Sequence, residues 1–99
     1  MFSRLIIPPD IQHETNNKKI LILNLDRTAI IKLIDIIGKE STGLDVYLYH
    51  QDMNNIKWYN DVLKMVDKVI ADPVSFNNVS HETVVKYTTI DELIELLKI

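Results

Sequence analysis

Three aspartates stand where acidic side chains could do chemistry. Asp26 follows the apolar run Ile20–Leu23, Asp52 follows Leu44–His50, and Asp72 follows Val69–Ala71. In an open parallel sheet, ligands settle beyond the carboxyl ends of the strands. Three carboxylates brought to one such edge would hold Mg²⁺ through oxygen, with several waters retained. His50, beside Asp52, adds a group suited to general base chemistry, since imidazole titrates near neutrality. The same residues also have plainer uses. Asp26 and Asp52 each precede a helical pattern, where aspartate serves as a cap. Asp72 before Pro73 is ordinary turn chemistry, and His50 reads first as an exposed loop residue. Geometry separates the two. Carboxylates within one ion's reach favour a metal, whereas carboxylates that each accept N–H groups of their own helix or turn do not.

A second group of residues has the chemistry of contact. Tyr47 and Tyr49 share one side of a strand, and Trp58 and Tyr59 lie on the next helix. Such side chains join a large apolar body to a polar handle, which suits them to protein interfaces and equally to a core. Phe2, Arg4, Leu5 and Ile7 lie in a stretch set apart from the rest by Pro8–Pro9. These eight residues are the candidate interaction set.

Much chemistry is excluded by what the chain lacks. Of its 99 residues none is cysteine, which removes disulfides, thiolate metal sites and thiol catalysis. His13, His50 and His81 are too scattered for zinc-ligand spacing. Ser75 and Ser80 share a loop with His81 but fall in no nucleophile signature. The turn Asn24-Leu25-Asp26-Arg27 has no glycine to let backbone approach a pyrophosphate, and no P-loop occurs. Net charge is −3 and no basic cluster exceeds Lys18–Lys19, so the stripe expected of a nucleic-acid binder is missing. Apolar runs are too short for a bilayer span, and Pro8–Pro9 comes too early for a secretory signal. The expectation is a cytoplasmic or virion-associated protein, neither secreted nor in a membrane.

The elements that must position these residues are legible from periodicity. Lys18–Leu25 reads as a strand covered on both faces, its centre being continuously apolar. Ile30, Leu33, Ile34 and Ile37 then recur at helical spacing, widened by Ile31 and Ile36, and Gly38 and Gly43 close that helix. Leu44–His50 alternates, with Leu44, Val46 and Leu48 on one side and Asp45, Tyr47 and Tyr49 on the other. A helix is expected over 56–68, a strand over 69–71, a loop over 74–81 and a strand over 83–87. Thr89 and Glu92 then form a capping box for a last helix bearing Ile90, Leu93, Ile94 and Leu97. Alternation of this kind predicts an α/β domain: a small, mostly parallel sheet of four to five strands with three helices, layered as in Rossmann-like and flavodoxin-like folds. Residues 18–99 are expected to form that domain, with 1–17 as an arm in which Ser3–Ile7 offers an extra edge strand ended by Pro8–Pro9.

At Asn24-Leu25-Asp26-Arg27-Thr28 the chain resembles the first motif of haloacid-dehalogenase-type phosphatases, Asp-x-Asp-x-Thr after an apolar strand. The resemblance implies an acid–base role for Asp26. Asn24, however, stands at the nucleophile's position, and an amide cannot form the acyl-phosphate. The strand–helix alternation also resembles a response-regulator receiver, with Asp72 at the phospho-acceptor's place. Here Asp26 alone represents the acidic pair such domains carry, and no suitable lysine follows a later strand. Neither activity transfers to this sequence.

The functional expectation is therefore a non-catalytic structural or interaction module with no cofactor. It would join a protein partner or a homo-oligomer through residues 1–17 and the Tyr/Trp surface. Heavy use of Ile, Lys and Asn suits an AT-rich source such as a phage, where a small virion or accessory protein, or one that blocks a host enzyme, needs no motif. The alternative is a small Mg²⁺-dependent phosphate- or nucleotide-handling protein using Asp26, Asp52 and Asp72.

Overall fold

Each apolar run becomes a strand and each helical period a helix, in a computed structural model that describes residues 4–11, 17–39 and 43–97. Five strands form one sheet: β1 (Arg4–Ile6), β2 (Lys18–Leu23), β3 (Leu44–Tyr49), β4 (Lys68–Ala71) and β5 (Val84–Lys86). Every pairing is parallel, in the order β1-β3-β2-β4-β5. The helices are α1 (Arg27–Lys39), α2 (Ile56–Met65), α3 (Pro73–Phe76) and α4 (Ile90–Leu97). The order reverses direction beside β2. The chain leaves β2 toward β3 on one side, returns past it to β4, and continues to β5 on the other.

Period-two alternation sorts the side chains onto two faces. Ile20, Ile22, Val46, Leu48 and Ile70 pack with Leu33 of α1 and with Leu93 and Leu97 of α4. Leu21, Leu23, Tyr47, Tyr49, Val69 and Ala71 pack with Trp58 and Val62 of α2, and Phe76 of α3 joins them. Sheet strands buried on both faces must be almost wholly apolar. Asp45 is the exception at 0% exposure, and its carboxylate accepts a hydrogen bond from the Asn17 side-chain amide at 3.2 Å.

Several boundaries differ from the sequence expectation. The first helix runs through Gly38 to Lys39, since one glycine in a last turn weakens a helix without stopping it. Gly43, at φ 71, makes the left-handed turn before β3. The second helix ends at Met65 instead of Lys68. Val66 turns extended there, and Asp67 then locks to Lys19, whose N–H donates to its carboxylate at 2.9 Å while its own N–H donates to the Lys19 carbonyl at 2.8 Å. Within the expected loop 74–81, Pro73 opens α3, its fixed φ being suited to the first helical position. Ile34, expected on the buried face of α1, is 50% exposed, and Ile31 is 63% exposed. The expected contributions of Ile36 and Ile37, and the turn at Ser41–Thr42, lie outside the described residues and side chains.

The strand β1 lies at the sheet edge beside β3. Ile6 is buried in the α2-side core and Ile11 packs against it. The Trp58 indole N–H donates to the Asp10 carbonyl at 2.7 Å, tying the segment after Pro8–Pro9 to α2.

Candidate functional site

Asn24 organises the carboxyl edge of the sheet. It ends β2 in the left-handed region at φ 58, a conformation asparagine adopts more readily than other residues with a Cβ. Its N–H donates to the Tyr49 carbonyl at 2.8 Å, which prolongs the β2–β3 ladder by one bond. Its carboxamide oxygen accepts the Gln51 N–H at 3.1 Å. Its amide nitrogen donates to Asp72 Oδ1 at 3.3 Å and contacts the Ser75 hydroxyl. One side chain thus braces the ends of β2, β3 and β4 where the sheet order reverses.

On the α1/α4 side of that brace lies a cleft of about 380 Å³, lined by Asp26, Lys32, Asp72, Tyr87, Thr88 and Thr89 among others. On the α2/α3 side is a smaller hollow of about 160 Å³, where Gln51, Tyr59, Ser75 and Asn78 meet. Asn24 borders both. Several polar groups of the larger cleft are already engaged by the chain. Asp26 Oδ1 accepts the Ala29 N–H at 2.7 Å, an N-cap of α1. Thr89 Oγ1 accepts the Glu92 N–H at 3.2 Å, as the capping box predicts. The return bonds fall one residue earlier than expected: Glu92 accepts from the Thr88 hydroxyl at 2.7 Å and the Thr88 N–H at 3.3 Å.

The electrostatics follow from this packing. Burial alone would push the Asp72 carboxyl up. Hydrogen bonds from the Ser75 and Asn24 side chains, helped by the backbone amides of Asp72 and Ser75, outweigh it and hold the group below the usual carboxylate value of 3.8. The Tyr87 hydroxyl donates to the Leu23 carbonyl at 3.0 Å beneath the cleft floor. Burial, and then the charges of Asp72 and Asp26, push that phenol up to about 12. Asp72 is therefore an ionised acceptor at neutral pH, and Tyr87 a neutral donor committed to the backbone.

Of the three aspartates, the fold brings Asp26 and Asp72 to one cleft and leaves Asp52 outside it. Asp52 is 85% exposed at its side chain, in a 3-10 turn (Gln51–Met53) capped by His50. His50 Nδ1 accepts the Asp52 N–H at 3.1 Å, so the ring serves the turn. Among the described residues, no three His, Asp or Glu side chains are gathered closely enough to share a metal ion. Asp26 meets the description of a helix cap given above, and Asp72 is held by its neighbours.

Of the contact residues, Tyr47, Tyr49 and Trp58 are buried within the chain and Tyr59 is half-buried. Trp58 stacks on Tyr49 at 5.8 Å between centroids, and Tyr59 leans on Tyr49 at 4.9 Å. The Tyr49 hydroxyl accepts the Asn55 N–H at 3.1 Å. This arrangement is the core alternative of the sequence analysis: α2 laid over β3. Leu5 is half-buried against the α1-side core and Ile7 is exposed. Phe2, His13 and the Arg4 side chain lie outside what the structure describes. His81 pins a loop in place: its Nδ1 accepts the Thr83 N–H at 3.0 Å, which leaves Nε2 to donate to the Val66 carbonyl at 3.0 Å.

The residue that braces the carboxyl edge is one that the sequence analysis weighs only for catalysis. Asn24 was weighed as a failed nucleophile, although an asparagine directly after an apolar run is also the signature of a left-handed strand exit. Compared with protein-family models, curated proteins and solved structures, the chain matches none.

Proposed function

We propose that this chain is a non-catalytic interaction module that acts by binding a protein partner or another copy of itself. The observation that carries the reading is the state of the carboxyl edge. Asn24 sits where a covalent mechanism would need a carboxylate, and its carboxamide is committed to Asp72, Ser75 and Gln51. The helix α1 presents Ile31 and Ile34 to the outside. The described helices include none long and apolar enough to cross a membrane. The composition that suits a phage virion or accessory protein, cytoplasmic or particle-bound, supports the same reading. Within the arm, residues 4–6 pair with β3 on one side, and Ile7 is exposed.

Light scattering on the purified chain, with and without Mg²⁺, tests the proposal. Association that ignores Mg²⁺, with no turnover of phosphate monoesters, is the expected result. Mg²⁺-dependent turnover that disappears in Asp72→Asn would overturn it.

The second reading is a small Mg²⁺-dependent phosphate- or nucleotide-handling protein. It is favoured by one observation, the presence of Asp26, Asp72 and Lys32 around a single cleft at the sheet's reversal point. Mg²⁺ commonly uses one or two carboxylates and takes its remaining ligands from water and phosphate. Calorimetry with Mg²⁺ and ADP tests it. Binding lost in both Asp26→Asn and Asp72→Asn supports this reading, and no heat from the wild type removes it.

A further inference from the structure

The outward stripe of α1 has a symmetry of its own. Arg27 and Asp35 stand four residues before and after Ile31, and residues four apart follow one ridge along a helix. Both charged residues are exposed, with Ile31 at 63% between them and Ile34 at 50% beside them. A stripe reading plus, apolar, minus is complementary to its own reverse.

We propose that α1 packs against α1 of a second copy of this chain, antiparallel, about a two-fold axis passing by Ile31. Each Arg27 then faces the partner's Asp35, the two copies of Ile31 meet at the centre, and each Ile34 flanks that contact. The proposal rests on the interaction reading above and commits it to one partner. A two-fold contact is self-complementary, so one charge pair on the page becomes two in the dimer. At about 1.5 Å of rise per residue, each charge lies about 6 Å along the axis from Ile31. Helices in contact run about 8–10 Å apart, a gap that arginine and aspartate side chains span. The guanidinium fork suits a carboxylate oriented this way. Asp35 already has an interaction within its own chain, and a carboxylate has further lone pairs to accept the fork. A parallel pairing is disfavoured, because it sets Arg27 against Arg27 and Asp35 against Asp35.

One helix face is a small contact, in the range of weak and transient interfaces. The association should accordingly depend on concentration and weaken with salt, which screens exposed charge pairs. Sedimentation equilibrium of the full chain, at low salt over a wide concentration series, reads this directly. The wild type should climb toward twice the monomer mass. Arg27→Glu and Asp35→Arg, each reversing one charge, should hold the mass at monomer, and the double reversal Arg27→Glu/Asp35→Arg should restore the climb. Ile31→Lys should abolish it, and circular dichroism should show every variant folded. A wild type that stays monomeric at all concentrations overturns the proposal, and so do single reversals that leave association intact or a double reversal that fails to restore it. None of those outcomes touches the broader interaction reading, which Mg²⁺-dependent turnover by the chain would instead remove.

Discussion

The two faces of the sheet are built from different materials. Toward α1 and α4 the core is aliphatic apart from Tyr87, with Ile20, Ile22, Leu33, Leu48 and Leu93 at its centre. Toward α2 and α3, Tyr47, Tyr49 and Trp58 lie in ring contact and Phe76 closes the end. Aliphatic packing is adaptable and silent toward its surroundings. The aromatic face has directed bonds as well: the Trp58 indole holds the Asp10 carbonyl, and the Tyr49 hydroxyl receives the first amide of the α2 cap. The aliphatic face supplies burial and the Tyr87 bond to the Leu23 carbonyl, whereas the aromatic face also fixes where the N-terminal segment lies.

The largest expected effect tests that difference. Trp58→Ala should cost about 3–5 kcal/mol in denaturant unfolding. It should also speed hydrogen exchange in β1 relative to β2. Leu33→Ala, at about 2–5 kcal/mol, should leave the ratio of β1 to β2 exchange unchanged. Equal effects on that ratio would show that the arm is held by burial and not by Trp58.

Asn24→Ala comes next. It combines a left-handed backbone penalty with the loss of the brace, together about 2–3 kcal/mol, while Asn24→Gly should cost less because glycine accepts the same φ. If the two variants are equally destabilised, backbone conformation is not part of the requirement.

Tyr87→Phe removes one buried hydrogen bond and should cost about 1 kcal/mol at neutral pH. Because the folded phenol is raised from 10.0 to about 12, folding favours its neutral form. Its contribution is complete below pH 10 and is lost as pH climbs through that window, so the wild type should weaken there and the Phe variant should show less of that slope. Absorbance titration of the phenolate checks the assignment.

The smallest effect is acid sensitivity at Asp72. A carboxyl held below its ordinary 3.8 contributes stability above that value and loses it as pH falls through the lower folded value. Asp72→Asn should therefore flatten the acid limb of the stability curve. An unchanged limb would mean that the Asn24 and Ser75 contacts do not favour the ionised form.

How much of this was readable in advance depended on the length scale of the signal. Alternation in Leu44–Tyr49 announced which side chains would face which layer, and Thr89 with Glu92 announced the start of α4. Such signals are local and periodic. The helix over 27–39 was legible as a helix, but its inward face was not. Six aliphatic residues between Ile30 and Ile37 surround it almost completely, and only docking on the sheet decided that Leu33 would face in and Ile31 out. The gathering of Asp26 and Asp72, without Asp52, depended on strand order, which no local pattern encodes. Likewise Tyr47, Tyr49 and Trp58 suit a core and a contact surface equally well until α2 is seen lying over β3.

Across the sheet the strands shorten outward: β2 and β3 have six residues each, β4 has four, and β1 and β5 have three. Few backbone amides are thus left unpaired along either margin, and β5 ends in the charged Lys86. Among the described residues a foreign strand finds few amides to zip onto, so strand addition is disfavoured at both sides. Any assembly this chain enters is steered toward side-chain recognition and away from the backbone templating that builds fibrils.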